Sequence, residues 1–316
     1  MKKIVIGQNE TGQRLDKFLR KYFKNMSLNI IYKSIRKKRI KVNGKSQKKS
    51  YNLSLGDVLE LYINDDFFAE KSSEKEILTR NIKLTIIYED ENILVSYKPQ
   101  GIITHEDKNE KKNTFINWIK SYLYQKGEYN PKLKSTFSPA LCHRLDRNTN
   151  GLIICAKNYE SLKIINEKIK NKEIEKYYKC IVNGIVKPSR GTIDTFLLKD
   201  CIKNRVFVCD KSCVRAKRAI TKYKVLKFKD NFSIIEAQII TGRTHQIRAS
   251  FSNIGHPIVG DSKYSIKKDF DSKQKFQALC AYKIIFNFKT DSGILNYLNK
   301  KTFEINKELI FENIMT

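Results

Sequence analysis

The chain changes character abruptly at residue 152. Residues 143–151 read His-Arg-Leu-Asp-Arg-Asn-Thr-Asn-Gly, and they run straight into Leu152-Ile153-Ile154-Cys155-Ala156. A short apolar run bounded by a polar turn fits a buried strand, so the fold must build a sheet around these five residues. The loop ahead of that strand carries one carboxylate, Asp146, between Arg144 and Arg147. Positive neighbours favour the charged form of a carboxylate, and in a pocket such a group can act as nucleophile or base. Taken alone, a surface turn with a neighbouring ion pair accounts for the same residues, because such pairs are common and contribute little.

The charge balance narrows the partners. Lys and Arg number 62 against 33 Asp and Glu, giving +29 and a pI near 9.7. That excess attracts polyanions, either nucleic acid or an anionic membrane surface. A Lys-, Asn- and Ile-rich composition from AT-rich coding would also raise the lysine count, so the placement of the charges decides. No apolar stretch approaches the roughly 20 residues of a membrane span, and residues 1–7 lack a signal-peptide core. The expectation is a soluble, cytoplasmic protein. Of seven cysteines, Cys155, Cys180 and Cys280 lie in apolar runs and fit reduced thiols. Cys201, Cys209 and Cys213 form a cluster but offer neither a Cys-x-x-Cys pair nor a neighbouring His, so no metal is expected.

Residues 1–65 read as a small α/β unit. Leu15, Phe18, Leu19, Tyr22 and Phe23 share one helical face. Ser27 is placed to cap a second helix that turns Ile31 and Ile35 inward and Lys33, Arg36, Lys37, Lys38 and Arg39 outward. A strand at 40–42, the turn Asn43-Gly44 and a strand pair ending at Leu61 follow. Concentrated charge on one helix beside Lys45, Lys48 and Lys49 is the footprint of a phosphate-backbone reader, though a solvated helix face gives the same pattern. Residues 66–81 are polar and aperiodic, and read as a linker.

A second domain is expected over 82–316. Strands at 84–88 and 93–95 flank a turn and close on Lys98-Pro99-Gln100-Gly101. A helix follows, capped by Asn113 or Thr114, with Phe115, Ile119 and Tyr122 buried and Trp118 in the core or serving as a stacking platform. Residues 159–171 form a helix on Leu162, Ile165 and Ile169, and 174–182 a strand. Lys211, Arg215, Lys217, Arg218 and Lys222 make a second basic patch. The strand at 232–240 delivers Thr241-Gly242-Arg243-Thr244-His245-Gln246-Ile247-Arg248, then a short helix burying Ile247, Phe251 and Ile254.

Taken in order, residues 143–151, Lys176-Tyr177-Tyr178, and 241–248 followed by Gly-His-Pro-Ile-Val-Gly-Asp at 255–261 resemble the RluA-type pseudouridine synthases. That family's patterns are HRLDxxTSG, KxY and TGRTHQIRxH…GHPIxGD, and Tyr97-Lys98-Pro99-Gln100-Gly101 is similar to its NKPxG. The leading unit resembles the alpha-L RNA-binding domain, whose basic two-helix surface is followed by IxVNG. Two positions depart from the pattern: Asn150 stands where the family has Ser, and Ser250 where it has His.

The resemblance implies an α+β protein: a small N-terminal RNA-binding domain, then a catalytic domain on a mixed, mostly antiparallel sheet flanked by helices. It implies Asp146 as the catalytic aspartate, Tyr178 as the active-site tyrosine and Arg248 as the arginine pairing with the aspartate. Arg144 matches the residue that holds the target nucleotide out of its stack, and Arg147, Arg243, His245 and Gln246 are expected to contact substrate, with Arg36, Lys37, Lys38 and Arg39 on the RNA backbone. Moving uracil from its N1 to its C5 linkage involves no redox change, so no cofactor is expected. The implied partner is large-subunit ribosomal RNA, bound by a monomer. A catalytically inactive RNA-binding protein or ribosome-assembly chaperone of this fold is the alternative.

Overall fold

The computed structural model describes residues 1–23, 25–68, 82–131, 137–200, 202–265 and 276–306. Most of the expected linker (69–81), Cys201 and residues 307–316 lie outside that set. The chain divides into two compact units, Met1–Ile82 with Asn117–Ala140 and Lys157–Leu162, and the remainder.

In the first unit, strands β1 (Lys2–Val5), β2 (Ile40–Val42) and β3 (Val58–Leu61) form an antiparallel sheet in the order β1-β3-β2. Helices α1 (Leu15–Tyr22) and α2 (Leu28–Arg36) share a core with it, in which Phe18, Leu19, Phe23, Ile31, Ile40 and Leu59 are buried. The helical spacing thus selects the faces as expected. Lys33, Arg36, Lys37, Lys38 and Arg39 are all exposed. Asn43 and Gly44 adopt φ of 51° and 74°, the doubly left-handed geometry of a tight hairpin turn. Three details differ from the sequence reading. The strand pair expected before Leu61 is the single strand β3, and its second neighbour is β1, whose Lys2-Lys3-Ile4-Val5 does not alternate polar with apolar residues. Ser27 occupies the N-cap of α2 with an extended backbone but makes no side-chain cap bond.

The larger sheet is built from β4 (Thr85–Glu89), β5 (Ile93–Lys98), β6 (Ala140–Leu141), β7 (Asn150–Ala156), β8 (Ile174–Asn183), β9 (Arg190–Asp200), β10 (Arg205–Cys209), β11 (Lys217–Lys229), β12 (Phe232–Ile239), β13 (Leu279–Phe286) and β14 (Thr302–Glu304). Its main path runs β10-β9-β11-β12-β8-β13-β7-β5-β4, with β14 on β13 and β6 on β7. Only β13 with β7 is a parallel pair among the registered neighbours, so the sheet is mixed and mostly antiparallel. Every residue of β7 is buried, as its apolar run requires.

One face packs Ile93, Val95, Leu152, Ile154, Tyr282 and Ile284 against Ile165 of α4 (Tyr159–Lys170) and Leu295, Leu298 and Phe303 of the C-terminal segment. On the other face, α5 (Gln246–Asn253) seats Ala249 with Leu197, Val206, Ala219 and Tyr264. Ile254 is exposed rather than buried, because α5 ends at Asn253 and Gly255 reverses the chain at φ 83°. In the helix between β5 and β6, α3 (Phe115–Gln125), Leu123 takes the buried place expected of Tyr122, and Trp118 is partly buried.

Candidate active site

The loop at 143–149 is held in place by side chains of the strand beside it. Lys98, at the end of β5, is fully buried, and its Nζ donates to the carbonyls of Pro99 (2.9 Å), Ile102 (2.7 Å) and Arg147 (3.0 Å). Burial pulls the Lys98 pKa down to about 7, while the Asp146 charge opposes that fall. Three carbonyl acceptors match the three N–H donors of an ammonium, a geometry that favours the protonated form. Thr104 completes the clamp: its hydroxyl donates to Leu145 O (2.7 Å) and accepts from Leu145 N (3.2 Å). At the far end of the loop, Gly151 has φ 128° and passes so close to Ala281 of β13 that a Cβ would lie 2.5 Å from its backbone nitrogen. The preceding residue, Asn150, donates from Nδ2 to the Tyr97 hydroxyl (2.8 Å).

Asp146 emerges from this clamp with its side chain 20% exposed, and it meets Arg248 from 102 residues downstream. Arg248 Nη1 donates to Asp146 Oδ2 at 2.8 Å. The rest of the guanidinium is engaged by Asp261, with Nε on Oδ2 at 2.7 Å and Nη2 on Oδ1 at 2.8 Å. Asp261 is completely buried and also accepts from the backbone N–H of Lys263 and Tyr264. Arg248 is therefore locked between two carboxylates, and although burial opposes its charge, both carboxylates hold its pKa up.

Two further side chains face Asp146. Tyr178 projects from β8, and burial together with the Asp146 charge raises its pKa, so the phenol keeps its proton. His245 stands at the N-terminus of α5 in the left-handed region (φ 51°, ψ 23°), with Nε2 at 3.8 Å from Asp146 Oδ2 and Nδ1 at 2.8 Å from the Tyr264 hydroxyl. Burial lowers its pKa to about 4.

The remaining candidate residues lie elsewhere. Gln246 is buried, and its amide is spent within the protein: Nε2 donates to Ile220 O and Thr221 Oγ1, and Oε1 accepts from Thr241 Oγ1 and Arg243 N. Its place is that of a clasp fixing the turn before α5. Arg243 is exposed and donates to Arg218 O (3.0 Å). Arg144 and Arg147 are exposed, Arg147 within 3.5 Å of Asp107. His143 is a packed imidazole whose Nε2 accepts the Ile154 N–H, and burial holds it neutral. The structure thus gathers Asp146, Arg248, Tyr178 and His245, and leaves Arg144, Arg147 and Arg243 at the surface. The sequence reading assigns no role to Lys98, Thr104, Asp261 and Tyr264. The sequence signals for them are a lysine closing an otherwise apolar strand before proline, and the aspartate ending residues 255–261.

Comparison with known proteins gives the family of the chain. Residues 92–253 match the RNA pseudouridylate synthase family, and residues 13–59 match the S4 domain. A Mycoplasma capricolum protein described as an uncharacterized RNA pseudouridine synthase is 34% identical, covering 98% of this chain and 99% of that protein. Ribosomal large subunit pseudouridine synthase C of Buchnera aphidicola is 35% identical, over 86% of this chain and 83% of that one. The solved structure of human RNA pseudouridylate synthase domain containing 1 shares the fold (TM-score 0.56, 21% identity, 77% of this chain and 89% of that one). The chain belongs to the RNA pseudouridine synthase family, a class of isomerases. Within it the chain is of the RluA type, with an S4 domain ahead of the catalytic one.

Proposed function

We propose that the protein isomerises specific uridines to pseudouridine in large-subunit ribosomal RNA, using Asp146 and no cofactor. The observation that carries this reading is the Asp146–Arg248 pair, made by residues 102 apart and flanked by a buried second carboxylate. The substrate assignment draws on relatives named as ribosomal large subunit pseudouridine synthases.

The target base cannot be reached inside a stack, so it is extruded at a cost of about a few kcal/mol. Arg144, exposed and without an ion pair among the described residues, fills the vacated place. Tyr178 packs its ring against the uracil. A carboxylate has three routes here: attack at C1′, attack at C6, or removal of the C2′ proton. Each needs an oriented carboxylate with one oxygen free, and Arg248 supplies the orientation. The S4 domain, with Arg36, Lys37, Lys38 and Arg39 on one exposed surface, holds the RNA backbone. Catalysis takes place in the cytoplasm on a monomer.

The test is to map pseudouridine across ribosomal and transfer RNA from cells lacking the gene. One or a few sites missing from large-subunit RNA, restored by the wild-type gene, is the expected result. Sites missing from transfer RNA instead would overturn the substrate, and no missing site would favour an assembly chaperone.

A further inference from the structure

We propose that His245 is a positioning residue whose Nε2–H, fixed in that tautomer by Tyr264, joins Arg248 on Asp146 Oδ2 and leaves Oδ1 as the acting oxygen. This deepens the proposed function and rests on Asp146 being the acting carboxylate.

Proton accounting at Tyr264 carries the inference. Its hydroxyl accepts the Val206 N–H at 2.8 Å, and His245 Nδ1 lies 2.8 Å away. A phenol has one proton to give, and among the described residues no other acceptor meets this one. The proton therefore goes to Nδ1, and a neutral imidazole that accepts at Nδ1 carries its own proton at Nε2. That nitrogen is the one facing Asp146, 3.8 Å from Oδ2. Burial keeps the ring neutral near pH 7. Arg248 Nη1 reaches the same oxygen, and among the described residues no hydrogen bond reaches Oδ1.

The backbone points the same way. His245 is held in the left-handed region, a conformation that costs most residues about 1–2 kcal/mol and that tends to be kept where a side chain must be aimed. The Gln246 clasp on β11 holds the turn in that shape. The 3.8 Å gap closes to a hydrogen bond with about 1 Å of movement, as catalytic contacts do when substrate binds. A neutral donor there steadies Oδ2 without adding a second full charge beside the carboxylate.

The test combines two readouts. Imidazole 15N NMR on the full chain, which has four histidines, should show His245 as the Nε2–H tautomer at pH 7, and Tyr264→Phe should give a mixture. On an RNA the wild type modifies, His245→Ala should lower kcat about 10- to 100-fold, the range for one hydrogen bond to a charged group, with KM changed less than about twofold. His245→Gln, which places an amide N–H near the Nε2 position, should recover most of that loss. An Nδ1–H tautomer in the wild type would overturn the proposal. So would a Gln variant as slow as Ala, or a loss confined to KM, which would make His245 an RNA contact. If the wild type modified no RNA, the proposed function would fall, while the tautomer measurement would still judge the Tyr264–His245 arrangement.

Discussion

Replacing Gly151 by alanine puts the positioning of the loop that carries Asp146 under direct strain. Gly151 is paired with Ala281 in the parallel contact of β7 and β13, five residues after Asp146. An added Cβ would lie 2.5 Å from Ala281 N and 2.7 Å from its carbonyl carbon, closer still to its oxygen. These are backbone atoms, so no side-chain rotation relieves the clash, and the two strands must part by roughly 1 Å to reach ordinary contact distance. The φ of 128° adds a strain of about 1–3 kcal/mol for any residue with a Cβ. Losing two ladder hydrogen bonds adds about 1 kcal/mol each. The sum is about 3–5 kcal/mol, which lowers Tm by about 6–20 °C in a domain of this size. Thermal unfolding followed by near-ultraviolet circular dichroism measures it. A Gly151→Ala protein within about 1 kcal/mol of wild type and fully active would refute the close-approach account.

Other outcomes follow from the same geometry. Asp261→Asn leaves one Arg248 N–H facing an amide donor, so kcat should fall more than about tenfold with KM little changed, the cost of a charge-assisted hydrogen bond. Initial rates across RNA concentrations check it. Neutralising Arg36, Lys37, Lys38 and Arg39 together should reduce the slope of log affinity against log salt by up to about 3, at roughly 0.7 per phosphate contact on single-stranded RNA. His245 gives a pH signature. Its folded pKa of about 4, set by burial with the Arg248 and Lys263 charges and opposed by those of Asp146 and Asp261, lies below the unfolded value near 6.5. Between those values the unfolded chain binds more protons, so this group makes stability fall as pH drops from about 6.5 through 4. His245→Gln should flatten that part of a Tm-against-pH curve.

Parts of both units can be read from local pattern. The β7 run, the strand Ile174–Asn183 and the inward faces of α1 and α2 follow from spacing alone, because burial acts on each element separately. Asp146, Tyr178 and Arg248 were legible only as pieces of an ordered set of stretches, since no local rule joins residue 146 to residue 248. The side chains that hold these groups were harder to see. Lys98 spends its donors on carbonyls, and a carbonyl leaves no trace in the sequence of the residue that owns it. Gln246 looked like a substrate contact because it is polar and sits in a chemically loaded stretch, yet its amide is used up on β11 and the preceding turn. β1 is hard to read because Lys2-Lys3-Ile4-Val5 does not alternate polar with apolar residues, and Ile254 is expected inside only while the helix runs up to Gly255, whereas it ends one residue earlier, at Asn253.

The central claim is that Asp146 does the chemistry while other groups bind and orient. It is tested most directly by Asp146→Asn on a large-subunit RNA transcript, with binding and pseudouridine formation measured in the same samples. The account predicts RNA affinity within about threefold of wild type, since the substitution touches no phosphate contact, and no detectable pseudouridine. Product formation by Asp146→Asn at a rate near that of the wild type would contradict it.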